Sequence, residues 1–438
     1  MQDSVGLEIT ANSEGASSYD EALMSLLRFQ PDITKKVRKI TDSDPSAPMG
    51  YLFSAYLGLL SSERPDSLAG FDQLNSLEEN VSSQNEREKM HALAVRQWLG
   101  GEMKASAKTL DEVLLTYPTD TLALYVGHQL DFFMGSSQHL NHRIASALPK
   151  LDTSHAHFGY VNSMWAFGLE ESGNYTKAEE LGRNSVDTNH DDVWGIHAVI
   201  HVLEMTGRID DGLTYLNERR DDWLENNFLY VHNAWHNALF LLEREDFVGA
   251  LTLYDSYIVT PLSANTAMEM LDASSLLWRL HLDGVNVGQR WNTLAEAWLT
   301  KDPEPWYAFN DMHAAMAFVA SGRMVEANAL VRRLETYVAA TNTTVTNKEM
   351  TARVGLPIVR ALVAHGQGNF AECAQILVPI RDNVAMFGGS HAQRDVVHRT
   401  LIDALQKAGN HSLATELLQR RLNDRPSSVW TTKRLAAA

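Results

Sequence analysis

The chain has 438 residues, 45% of them apolar and 21% charged, which allows either two or three globular domains or one extended repeat array. Its 37 basic and 55 acidic residues leave a formal charge of −18, a balance that repels phosphate backbones and argues against nucleic acid as a partner. The one cysteine, Cys373, permits no intrachain disulfide framework; the absence of a long apolar run or a basic–apolar leader predicts a cytoplasmic protein with no membrane span.

In chain order, residues 1–90 read as N-terminal helices with turn signals at 41–48 (TDSDPSAP) and 61–67 (SSERPDS). A short pattern then recurs: GEMKASAKTLDEVLLTYP at 101–118, GNYTKAEELGRNS at 173–185, GRIDDGLTYLNER at 207–219, GRMVEANALVRRL at 322–334, GNFAECAQILVPI at 368–380 and GNHSLATELLQRRLNDRP at 409–426. Glycine supplies the tight turn between two helices. The small residue that follows (Ser106, Ala178, Gly212, Ala327, Cys373, Ala414) lets those helices approach closely, which makes Cys373 a buried packing residue. Glu245-Asp246-Phe247, ending at Ala250, is a variant without the glycine. Strand signals are nearly absent and helical periodicity dominates. This is the tetratricopeptide helix–turn–helix signature. Helices within 120–158 and 256–308 fall outside the repeat frame, and loop signals at 301–306 (KDPEPW) and 341–347 (TNTTVTN) are too short to be domain linkers. The expectation is an all-α, right-handed, irregular and decorated solenoid of tetratricopeptide-like repeats. It would be one continuous unit: N-terminal helices (1–90), repeats with a His/Glu groove (91–255) and C-terminal repeats closing that groove (256–438).

Two of the predicted helices carry unusual polar residues. WGIHAVIHVLEM (194–205) spaces His197, His201 and Glu204 by four and three; YVHNAWHNALFLLE (230–243) spaces His232 and His236 by four, with Glu243 seven further. With Gly207 in the turn, His197, His201 and Glu204 face the concave groove of such a repeat, and His232 and His236 fall on the same side. Side chains at i and i+4 are neighbours on a helix, so two adjacent helices would bring these groups together. Three chemistries fit. The imidazoles, with Glu204, would hold a divalent metal such as Zn or Fe that activates water. Without metal, a neutral His beside Glu204 would move protons near pH 7, with Trp194 and Trp235 as aromatic walls for an organic ligand. Or the histidines only hydrogen-bond across a helix interface.

Further along, FNDMH sets Asn310 or Asp311 as a helix cap, or brings Asp311 and His313 into the groove. Asp255, Asp272 and Arg290 are further ligand-binding candidates, Arg290 as a groove cation or as a brace for Asp272. GGSHAQRD (388–395) adds His391, Arg394 and Asp395. Either its glycine turn holds an anion at a helix N-terminus with Arg394, or it is a plain cap with an Arg394–Asp395 surface pair. No Walker or dinucleotide motif is present, so no nucleotide cofactor is expected.

Several stretches resemble the tetratricopeptide repeat protein 38 family: TYPTDTLALYVGH (116–128), HAVIHVLEM (197–205), HNAWHNALFLLE (232–243), ALTLYDSYI (250–258), MLDASSLLWRLHLDGVNVGQRW (270–291), FNDMHAAMA (309–317), VGLPIVRALV (354–363) and GGSHAQRDV (388–396). The resemblance covers nearly the whole chain and implies a cytosolic helical-repeat protein without specifying a reaction. At His391 the family often carries Asn or another polar residue. The resulting expectation is a groove that binds a small molecule, as a metal-dependent hydrolase or a lyase-like enzyme. The alternative is a scaffold that grips a peptide or protein. Groove positions occupied by His and Glu, rather than the Lys, Arg and Asn of a peptide-carboxylate clamp, favour the first.

Overall fold

The computed structural model describes residues 1–259, 266–340 and 344–437. Among them the chain forms 25 α-helices and no β-strand, apart from an isolated bridge between Gln2 and Glu8. None of these helices is long and apolar enough to cross a membrane.

The turn chemistry places the helices. Gly101, Gly173, Gly207, Gly322, Gly368 and Gly409 each separate two helices, and all six have φ between +69° and +82°. That left-handed region is open to glycine and costs other L-residues about 1–2 kcal/mol. In the variant turn Glu245 itself takes φ +58°. The small residues after these turns are buried, and Cys373 is fully so. At Gly212 an added Cβ would stand 2.3 Å from the Phe240 ring, so no side chain fits there.

The helices form two compact units. Unit 1 comprises Met1–Val199, Asp221–Leu229 and Thr344–Thr346; unit 2 comprises Ile200–Arg220, Tyr230–Thr343 and Asn347–Ala438. Unit 1 packs around Leu52, Phe53, Val95, Leu110, Leu130 and Phe167. A buried polar chain crosses it. Tyr56 donates to His91 Nδ1 (3.1 Å), and His91 Nε2 donates to Asp120 (3.0 Å). Asp120 meets Arg87 (3.2 Å), and Arg87 also binds Asp3 (2.8 Å). Every charge in it has a partner, as burial requires. Unit 2 packs around Trp235, Phe240, Leu277, Trp278, Met312, Met316 and Trp430. Of the loop expected at 341–347, residues 341–343 lie outside the described residues, and 346–347 already belong to the short helix Thr346–Met350. Part of the expected 256–308 region, residues 260–265, also lies outside them.

Candidate metal centre

Helix Val193–Met205 carries the first set of candidates. It is apolar all round (Ile196, Val199, Ile200, Val202 and Leu203 are at most 1% exposed), so it is a core helix, and its polar residues are buried with it. His201 and Glu204 belong to unit 2. His197 stands one turn before His201 on the same helix and is counted with unit 1, where its ring packs against Phe167 (5.3 Å) and Trp194 (4.7 Å). Helix Tyr230–Glu243 carries His232 and His236.

The structure brings the histidines of unit 2 together. The His201 and His236 rings are 4.5 Å apart, and those of His232 and His236 are 4.8 Å apart. One nitrogen from each of His201, His232 and His236 lies within 4.8 Å of the others. Imidazole nitrogens on a tetrahedral zinc at about 2.0–2.1 Å stand roughly 3.4 Å from one another, so modest side-chain rotation closes the set.

Two of these rings are aimed by carboxylates. His236 Nδ1 donates to Glu204 (2.9 Å), and His232 Nδ1 donates to both oxygens of Asp272 (2.9 and 3.0 Å). With the proton held on Nδ1, the lone pair is on Nε2, the atom that ligates a metal. Burial pushes His201 and His236 well below the usual imidazole range; the neighbouring imidazoles push both further, as does Arg279 for His236. Both are therefore neutral at pH 7 and able to donate lone pairs. Burial acts in the opposite sense on Glu204, raising its carboxyl to about 7 against the pull of Arg425 and Arg279.

Trp235 is fully buried and lies within this cluster, stacked on His232 (5.1 Å, 13° between planes) and 4.8 Å from His236. Arg279 sits 5.4 Å from the centre of the Trp235 ring. Its donors go to the Ser275 carbonyl and hydroxyl and to the Ala392 carbonyl (2.7 Å). Trp194, 7% exposed, stacks on Phe29 (5.4 Å) in unit 1.

The remaining candidates divide. His391 and Arg394 are near enough to add to the lowering of His201. Ser390 and Gln393 form a capping box that occupies two N-terminal backbone donors of helix His391–Lys407, and Arg394 donates to the Gly389 carbonyl. The plain-cap reading therefore holds, and the anion cradle loses those donors. The expected Arg394–Asp395 surface pair is corrected: both are less than a tenth exposed, and Asp395 pairs with Arg399, Arg421 and Arg425. Glu243 joins the same network through Arg399, Arg421 and Ser428. The guanidinium groups of Arg421, Arg399 and Arg425 hold it at about 2 despite burial. Arg290 pairs with Asp255 (2.5 and 2.8 Å), not with Asp272, which the His232 ring already occupies. Helix Ala308–Ala320 begins before Asn310, with Tyr307 at the cap position, so neither Asn310 nor Asp311 caps it. Two residues apart, Asp311 and His313 project about 200° from each other around the helix. Burial raises Asp311 to about 7, while His313 donates to the Phe309 carbonyl (2.8 Å) and is lowered by burial to about 3. Cys373 is a buried thiol, raised by burial to about 12.

Arg279, Arg399, Arg421, Arg425 and Trp430 were not anticipated. The signal for Arg279 was present: an arginine inside the apolar run SSLLWRLHL must find buried partners. No known protein-family model matches the chain.

Proposed function

We propose that this chain binds a divalent transition metal through His201, His232 and His236, with His197 one turn away on the same helix, and uses it to act on a small molecule. The observation that carries the reading is the pairing of His236 with Glu204 and of His232 with Asp272, beside a third imidazole within ligand distance. A packing histidine needs one hydrogen bond; two rings each oriented by a carboxylate, beside a third imidazole, suit zinc or iron ligation. When bound, the metal would polarise water or a substrate oxygen. Glu204, hydrogen-bonded to His236 Nδ1, would hold that ring's proton and keep Nε2 turned toward the metal. The reaction class that fits is hydrolytic or lyase-like. The helix–turn–helix pairs with left-handed turn glycines support a tetratricopeptide-like solenoid and, with the quoted motifs, kinship to the tetratricopeptide repeat protein 38 family.

The test is Zn²⁺ titration against a chromophoric chelator. Wild type should bind with defined stoichiometry, and His236→Ala should lose at least about tenfold in affinity. Weak, non-stoichiometric binding shared by both proteins would refute the metal reading. The metal-free acid–base reading, which Glu204 also favours, would then stand.

A further inference from the structure

A cleft of about 620 Å³ lies wholly in unit 1, between the turn that joins helices Ser13–Leu27 and Ile33–Ser43 and the segments 190–193 and 221–227. Phe228 N–H donates to the Phe29 carbonyl (2.9 Å) and the two rings stand 5.3 Å apart, which ties these walls together and leaves the cleft preformed. Its lining holds five carboxylates (Asp32, Asp191, Asp221, Asp222, Glu225) and two cationic side chains, Arg28 and Lys36. Both cations are already matched: Arg28 meets Asp191 (2.8 Å) and the Tyr160 hydroxyl, and Lys36 meets Asp32 (3.4 Å) and Gln30. Asp222 has His190, also in the lining, at 3.7 Å. The carboxylates of Asp221 and Glu225 have no ion pair or hydrogen bond among the described residues, and neither Arg219 nor Arg220 lines the cleft. A second observation does not depend on charge. Asn227, 5% exposed, lines the same wall. Its Nδ2 donates to the carbonyls of Trp223 and Glu225 (both 2.9 Å), which fixes the orientation of the amide and leaves Oδ1 a buried acceptor without a partner. Buried acceptors are normally satisfied. One wall, residues 221–227, thus offers unmatched acceptors to a ligand that brings donors and positive charge.

We propose, independently of the metal reading above, that this cleft binds a polyamine, a small molecule with two or more primary ammonium groups. The volume falls within the roughly 300–1,000 Å³ of small-molecule sites. Ammonium groups bring the donors that Asp221, Glu225 and Asn227 Oδ1 lack, and such charge-assisted hydrogen bonds are the strong ones. No Trp, Tyr or Phe lines the cleft, which argues against a quaternary ammonium held through aromatic faces. Among the described residues its acids form no group of three with ligand atoms within 4.8 Å of one another, the arrangement that suits a single metal ion. The charge is spread along the wall, as a ligand with separated cations requires.

Calorimetric titration of the full-length protein with spermidine at low salt is the test. Saturable one-to-one binding is expected, weakened by added salt. Asp221→Asn combined with Glu225→Gln should weaken it about tenfold or more. Both side chains are exposed, so the fold tolerates the change, and either single substitution serves if the pair does not. Glu79→Gln combined with Glu416→Gln removes two exposed acids elsewhere and should leave the affinity unchanged, which separates the cleft from the overall charge of −18. The proposal is overturned if spermidine binding does not saturate, if the cleft substitutions leave its affinity unchanged, or if both double variants lose affinity equally. It is also overturned if Ca²⁺ binds stoichiometrically in place of spermidine and is lost with the same two carboxylates.

Discussion

Glu243→Ala tests the electrostatics of unit 2 with a magnitude that can be worked out two ways. Glu243 is 3% exposed, binds Arg399, Arg421 and Ser428, and has Arg425 at 3.8 Å. Removing one member of a buried ion network costs about 3–5 kcal/mol, because the partners stay buried without compensation. Independently, the network lowers the carboxyl from its ordinary 4.5 to about 2, a differential stabilisation of the ionised form of about 3 kcal/mol. The two routes meet at about 3 kcal/mol, and at about 2–4 °C per kcal/mol for a domain of this size that predicts a drop in Tm of roughly 6–12 °C. The pH dependence fixes the mechanism. A lowered carboxyl contributes stability that is complete above pH 4.5 and lost as pH falls toward about 2. Urea unfolding of wild type and variant should therefore show a gap that is constant from pH 7 to 5 and narrows in stronger acid. A loss below about 1 kcal/mol at pH 7, or a gap indifferent to acid, would show that the arginines do not depend on Glu243.

Further tests follow from single geometries. Asp272→Asn keeps the shape beside His232 but removes the carboxylate that orients it, so metal affinity should fall about 10–100-fold in chelator competition; an unchanged affinity would exclude Asp272 from that role. Gly207→Ala should cost clearly more than Gly173→Ala in urea unfolding. Both have positive φ, but the new Cβ at 207 meets the Arg425 backbone at 2.9 Å, whereas at 173 nothing lies within 4 Å; equal losses would refute the close approach. His313→Asn keeps a donor for the Phe309 carbonyl but no titrating ring. Wild-type His313, lowered to about 3, contributes stability that is intact above pH 6.5 and fades as pH falls. Between pH 6.5 and 5 wild type should lose about 2 kcal/mol more than the variant; parallel pH profiles would contradict the buried neutral ring.

The turns were legible because their chemistry is local. A glycine followed by a small residue specifies a left-handed turn and a close helix contact within a few residues, and all six positions behave accordingly. The variant turn was legible too, although not that Glu245 itself would take the left-handed conformation and meet Lys433 and Arg434. The histidine pairs could be read from their i, i+4 spacing. What orients them could not. Asp272 lies 40 residues from His232, and the arginines that neutralise Glu243 lie 156 and 178 residues from it. Pairing over such separations leaves no periodic trace in a single sequence. For the same reason Asp395 looked like half of a surface i, i+1 pair, when its partners come from three other positions. Helix starts misled at Asn310 and Asp311, where a cap-forming residue type lies inside the helix and Tyr307 occupies the cap position.

The most direct test of the account is elemental analysis of the purified full-length protein by mass spectrometry, with His201→Ala prepared in parallel. His201 takes part in neither carboxylate hydrogen bond, so its loss removes a ligand while leaving the Glu204–His236 and Asp272–His232 pairs in place. The account predicts near-stoichiometric zinc or iron in wild type and its loss in the variant, with both proteins folded. Wild-type protein that stays metal-free after reconstitution with Zn²⁺, Fe²⁺ and Mn²⁺ would contradict it.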